Sequence, residues 1–184
     1  MTAEELLQRY AAGERDFRGI DLSESDLTGA NLSAINLSGA VLTGAILENA
    51  ILENANLRGV DLDYSILNGA NLRNSILRGA KMIGTELINA RLQSADLRGA
   101  SMGEATMDGA ICTETDFSGT NIAQVGIRGA NLSNAKLCGS ILNETIMREV
   151  NLSGADLRGA AGLEIRESTI LHNTRMPNGE IGII

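Results

Sequence analysis

Acid–base, nucleophilic or metal chemistry would have to be carried by histidines, cysteines and carboxylates, and in this chain these are few or scattered. His172 is the single histidine, and it has no convergent Ser, Asp or Cys partners in a pocket. Cys112 and Cys138 fall on different sides of the repeat described below, and no Cys/His cluster has metal-ligand spacing. Asp61 and Asp63 flank Leu62 as the nearest approach to a paired acid–base couple, but on an extended segment both point to solvent. The glycines, 21 in all, sit at turns and do not compose a phosphate loop. No catalytic residue, metal site or cofactor is expected, so the informative residues are those that repeat.

The clearest copy of the repeat is Asp96-Leu97-Arg98-Gly99-Ala100, and the unit recurs without a gap from about Phe17 to Gly159. Every fifth residue from Leu22 to Leu157 gives 28 positions, holding 20 Leu, 4 Met, 2 Ile, Cys112 and Phe117. Two residues before each lies a second column of 15 Ala, 4 Ser, 4 Thr, 3 Val and 2 Ile. A period of five is neither the strand's nor the helix's. It demands a chain that turns a corner once per unit, with the bulky and the small residue pointing inward. Stacked coils of this kind satisfy their backbone amides above and below, as in a parallel β-solenoid.

Glycine shows how many corners close one coil. Two residues after the central Leu, it fills positions 39, 59, 79, 99, 119, 139 and 159, a spacing of twenty, whereas the set 34 to 154 holds only Gly154. Four units therefore make a coil, and glycine in that column suits the positive φ at the third residue of a type II turn.

The units Ala30-Asn31-Leu32 and Ala95-Asp96-Leu97-Arg98-Gly99 resemble the A(D/N)LxG motif of the pentapeptide-repeat family. The resemblance implies an all-β fold, a right-handed quadrilateral parallel β-helix. About seven coils are expected, a rod of roughly 34 Å at the spacing of paired strands.

The expected organisation is a capping helix in 1–16, the β-helix in 17–160 and a capping or pairing tail in 161–184. Thr2 and Glu5 fit a capping box and Gly13 a helix stop, predicting a helix over 3–12. Leu6, Leu7, Tyr10 and Ala11 would cover the first coil. Frame is lost after Ala160, since Gly162 stands where a large apolar residue belongs. Pro177-Asn178-Gly179 signals a turn between two short extended pieces. The tail's Leu163, Ile165, Ile170, Leu171, Met176, Ile181, Ile183 and Ile184 would either cover the last coil or pair with a second copy, so a monomer or a tail-mediated homodimer is expected.

The net charge is −8 and only 2% of residues are aromatic, which argues against direct nucleic-acid binding. No stretch approaches a membrane span and the first residues carry no secretory pattern, so a cytoplasmic protein is expected. The two interior-facing columns leave no room for a substrate, so the four walls are the surfaces open to a partner.

On the wall of Leu22 through Leu142, six carboxylates face Lys81 alone, and on the next, Leu27 through Met147, five face Arg128 and Arg148. The third wall balances, and the fourth, Leu37 through Leu157, is mildly basic. Two surface features follow. Val41, Ile46, Tyr64, Ile66, Ile83 and Ile88 form an apolar patch within the acidic walls, a candidate site for a protein partner. Arg58, Arg78 and Arg98 stack as a candidate ladder for an anion or acidic partner. The expected function is a non-enzymatic scaffold or protein-interaction module. The Leu-rich, loop-free repeat resembles cyanobacterial members of the family, some of them similar to a regulator of cell differentiation. Resemblance to the quinolone-resistance members implies the alternative, an acidic DNA mimic that binds a type II topoisomerase such as gyrase.

Overall fold

The computed structural model describes residues 1–166 and 168–182. After one helix, α1 (Ala3–Ala11), the chain winds into a solenoid whose coils pair in parallel. From Asp16↔Asn36 to Ile141↔Ala161, bridge partners stand twenty residues apart. Leu97 shows the pattern: its N–H donates to Asp116 O (2.8 Å) on the following coil, and Asp96 N–H donates to Ser75 O (3.0 Å) on the preceding one. The corner is closed by Ala100 N–H on Leu97 O (3.0 Å). With a corner every five residues and pairing every twenty, each coil has four walls.

All 29 corners from Gly19 to Gly159 adopt positive φ, near +60°, yet only 15 of them are glycine. The glycine column marks the phase, but the bend is set by the fold as a whole. Asn, Glu, Gln, Ser, Ala and even Tyr64 are held in the same conformation. Non-glycine residues there are strained by roughly 1–3 kcal/mol, so inter-coil pairing must outweigh that cost at half of the corners.

The frequent Asp or Asn before the central residue is explained at the same corners. In thirteen units its side-chain oxygen accepts the backbone N–H two residues on, as Asn31 does from Ser33 (3.2 Å) and Asp116 from Ser118 (3.0 Å). This donor faces outward and has no partner in the ladder, and an Asx turn supplies one locally.

Inside, the central column from Phe17 to Leu157 is buried throughout. Threonine hydroxyls in the small-residue column are satisfied by carbonyls of the coil before, as Thr115 Oγ1 donates to Leu92 O (2.7 Å) and Thr120 Oγ1 to Leu97 O (2.8 Å), whereas serines donate within their own coil, as Ser65 does to Leu62 O (2.6 Å). Threonine thus substitutes for alanine without leaving a buried polar group unpaired. A slender void of about 10 Å³ lies among residues between Met107 and Leu157, at the lower limit for a single water.

Thr2 caps α1, its Oγ1 accepting from Glu5 N–H (3.1 Å), and Gly13 follows with φ +98°. Leu6 is fully buried against the solenoid and Tyr10 Oη donates to Ser33 O (2.8 Å). Leu7 and Ala11 are exposed instead of covering the coil. A nine-residue helix can present only the narrow stripe of Ala3, Leu6 and Tyr10 to the rod.

The tail corrects the expectation that the frame ends at Ala160. Ala161 still bridges Ile141, and the register then resumes one residue short, with Ile170 bridging Asn151 and Arg175 bridging Asp156 at a separation of nineteen. Leu171 and Thr174 are buried as central and small residues, and Asn173 takes the left-handed corner at φ 56°. Strands β1 (Thr174–Arg175) and β2 (Ile181–Gly182) then pair antiparallel around the expected turn. Ile165, Ile170 and Ile181 remain exposed; Ile183 and Ile184 lie outside the described residues. No helix among those described is long and apolar enough to cross a membrane.

Candidate interaction surface

The residues with chemical potential are occupied structurally. Asp61 accepts from Lys81 Nζ (3.0 Å), Thr43 Oγ1 (3.1 Å) and Asp63 N–H (3.3 Å). Burial opposes ionisation of Asp61, but the bonds from Lys81, Asp63 and Thr43 together hold its carboxyl below the usual range. Asp63 accepts from Ile83 N–H of the next coil (2.7 Å). Neither acid is free to act on a substrate. His172 is exposed, beside Asn173. Among the described residues no group of acids, cysteines and histidine could hold a metal ion.

Both cysteines are free. Burial pushes the Cys112 thiol far up. The Cys138 thiol is raised as well, first by desolvation and then by the neighbouring Asp156 carboxylate; its Sγ also contacts Asp156 O (3.8 Å). Lys136 does not reach it; that ammonium lies 3.8 Å from Asp116 instead.

In the apolar patch, Ile46 and Ile66 are bridge partners on the second wall. Tyr64 occupies the corner just before Ile66 and is 65% exposed. Ile83 and Ile88 are half-buried on the next coil, tied at their N–H groups to Asp63 and Asn68. Ile88 also lines a shallow depression with Glu48, Asn49 and Asn68. Val41, more exposed, pairs with Asp61 at the far side of the first wall and stands apart from the other five.

The arginine ladder is not a row of free cations. Arg98 clasps Asp96 through Nε (2.8 Å) and Nη2 (2.6 Å), and Arg78 Nε reaches the same carboxylate at 3.0 Å. The bond from Arg98 holds the Asp96 carboxyl below its usual range. Arg58 is exposed, and its backbone N–H donates to Asn56 Oδ1 (3.4 Å). Sequence reasoning had both members of the Arg78–Asp96 pair on one wall but not their contact. The signal was available: the residues stand eighteen apart, one coil less two positions, as do Thr43 and Asp61.

The family described as pentapeptide repeats matches residues 16–54, 55–93, 85–122 and 127–160. No curated protein matches the chain. Among solved structures, HetL of the cyanobacterium Nostoc sp. strain PCC 7120, involved in heterocyst differentiation regulation, is 28% identical over 99% of this chain and 100% of its own, with a TM-score of 0.35. The pentapeptide repeat protein alr5209, also of Nostoc, is 33% identical over 67% of this chain and 95% of its own, with a TM-score of 0.48. QnrB1, a plasmid-mediated fluoroquinolone resistance protein, shares the fold at 18% identity, covering 87% of this chain and 86% of its own with a TM-score of 0.64. With its corners, its inward columns and this match over most of its length, the chain belongs to the pentapeptide repeat family.

Proposed function

We propose that the chain is a non-enzymatic scaffold that binds a protein partner through its walls. The observation that carries this reading is the filled interior: the void among the core residues is about 10 Å³, so contact must be made from outside. On this reading residues 1–16 cap the first coil, 17–160 form a β-helix of about seven coils, and 161–184 close the far end. The burial of Leu6 and Leu171 favours a monomer capped at both ends over a tail-mediated dimer. Two free cysteines suit a reducing compartment such as the cytoplasm. Cross-linking mass spectrometry in cells tests the module. Specific wall-to-partner cross-links that vanish with Ile66→Lys and Ile83→Lys, at unchanged melting, are expected. Equal cross-linking by the doubly substituted chain would refute the patch.

The acidic-mimic reading is favoured by the eleven carboxylates on the first two walls. Against it, Asp21 and Asp26 are engaged by their own corners, Asp61 by Lys81 and Asp63 by the Ile83 N–H of the next coil. Protection of gyrase supercoiling from a quinolone would establish it; no protection at a tenfold molar excess of the chain, a ratio of about 10 in which even weak competition registers, would dismiss it.

A further inference from the structure

The protein has four aromatic side chains, 2 Phe and 2 Tyr, and three have structural employment. Phe17 and Phe117 are buried, and Tyr10 anchors α1 to Ser33. Tyr64 alone stands outside, 65% exposed and with φ 59°, a backbone conformation where a bulky residue is an outlier. Its one packing contact is with Gly84 of the next coil and most of the ring stays in solvent; strain with so little burial in return points to use, when the observation comes first.

Its surroundings fit that use. Corner residues twenty apart stack in a column, and on the edge between the two acidic walls the column reads Glu24, Gly44, Tyr64, Gly84, Glu104. Adjacent members are about 4.8 Å apart at the backbone. The ring lies on Gly84, whose missing side chain makes room for it, Gly44 on the other side adds no side chain against it, and a carboxylate stands at each end of the column. Ile46 and Ile66 continue the apolar surface alongside. While Asp61 is bound by Lys81, neither Glu24 nor Glu104 has an ion pair among the described residues.

Resting on the interaction-module reading, we propose that this edge docks a cationic segment of another protein. An Arg or Lys side chain lies over the Tyr64 ring, attracted by its face, between it and one of the flanking glutamates. An apolar neighbour of that cation rests on Ile46 and Ile66. Tyrosine is a favoured interface anchor, and the ring of acids selects sign. A second copy would bring the same acidic rim to this edge, and a nucleic acid would bring phosphates; both meet like charge.

The test uses a display library of random twelve-residue peptides selected on the full chain, a length of about 12 being enough to span four coils when extended. Enriched peptides are synthesised and titrated by anisotropy and by amide chemical-shift mapping. Sequences combining basic and apolar residues, with shifts centred on Tyr64, are expected. Tyr64→Asn preserves the corner, since Asn49, Asn54 and Asn74 adopt it already, and should weaken binding about tenfold. Glu24→Gln with Glu104→Gln should weaken it about fivefold at low salt and little at 1 M, where the Debye length falls to about 3 Å. The distant pair Glu114→Gln and Glu144→Gln should leave it unchanged. Enrichment of acidic peptides, shifts on another wall, no enrichment, or full affinity in Tyr64→Asn overturns the proposal. Shifts on another wall would leave the scaffold reading standing, whereas loss of all specific cross-links in cells would remove both.

Discussion

The ring of Tyr64 lies over Gly84 of the next coil, so close that a Cβ on the glycine would stand 2.7 Å from ring carbon Cδ1. Gly84→Ala must therefore displace the tyrosine and also hold an alanine at φ +63°. A loss of about 1–2 kcal/mol is expected in urea denaturation. In a Tyr64→Ala background the same substitution should cost less, and the difference measures the coupling. Equal losses in both backgrounds would show that the ring and the glycine are independent.

Leu97 is fully buried at mid-rod, with its carbonyl accepting from Thr120. Leu97→Ala should cost about 2–5 kcal/mol, because neighbours fixed by pairing on both sides cannot collapse into the cavity. Leu97→Asp should prevent folding, as judged by circular dichroism.

Asp96 is lowered by its bond from Arg98. Its folded pKa lies below the unfolded value of about 3.9. The stabilisation is therefore fully present above about pH 4 and is lost as pH falls through the depressed folded value. Asp156, depressed by Arg158, behaves alike. Melting followed from pH 6 downward should fall less steeply below about pH 4 in Asp96→Asn than in the wild type.

Both thiols are raised by burial, so the thiolate fraction at neutral pH is small. Thiol titration of the native chain at pH 7.5 should modify Cys138 slowly, well under the rate of a free thiol whose pKa is about 8.5. Cys112 should react only on unfolding. Rapid native modification of Cys112 would contradict its place in the core.

Truncation after Gly162 removes Leu171 and Thr174 from the last coil and β2 from its edge. Lower melting and aggregation from a monomer are expected, read by light scattering; an open edge and an uncovered core end recruit other chains. A dimer that becomes a soluble monomer would reveal tail pairing instead.

The repeat itself was legible because its two buried columns are nearly invariant in type, and the glycine phase disclosed the twenty-residue coil before any coordinates. Contacts between coils were legible in principle from the same number, as with Arg78 and Asp96, but side-chain reach had to be seen. The tail's turn and two extended pieces are legible in sequence, but the resumption of the repeat is not, because a register one residue short moves Leu171 and Thr174 out of the two buried columns counted from Phe17. The residues of the candidate apolar patch are placed on the walls by their position in the repeat, yet the separation of Val41 and the setting of Tyr64 between two glycines depend on which corner each occupies.

Twenty-residue pairing also shapes how the chain is made. Each coil needs only the one before it as a template, so the rod can lengthen storey by storey as the ribosome releases it, with Leu6 of α1 already buried at the first end. The growing edge stays open and sticky throughout synthesis. Closure arrives with β2, whose antiparallel pairing with β1 reverses the direction of the ladder and gives the edge a strand on which no further parallel coil can be laid.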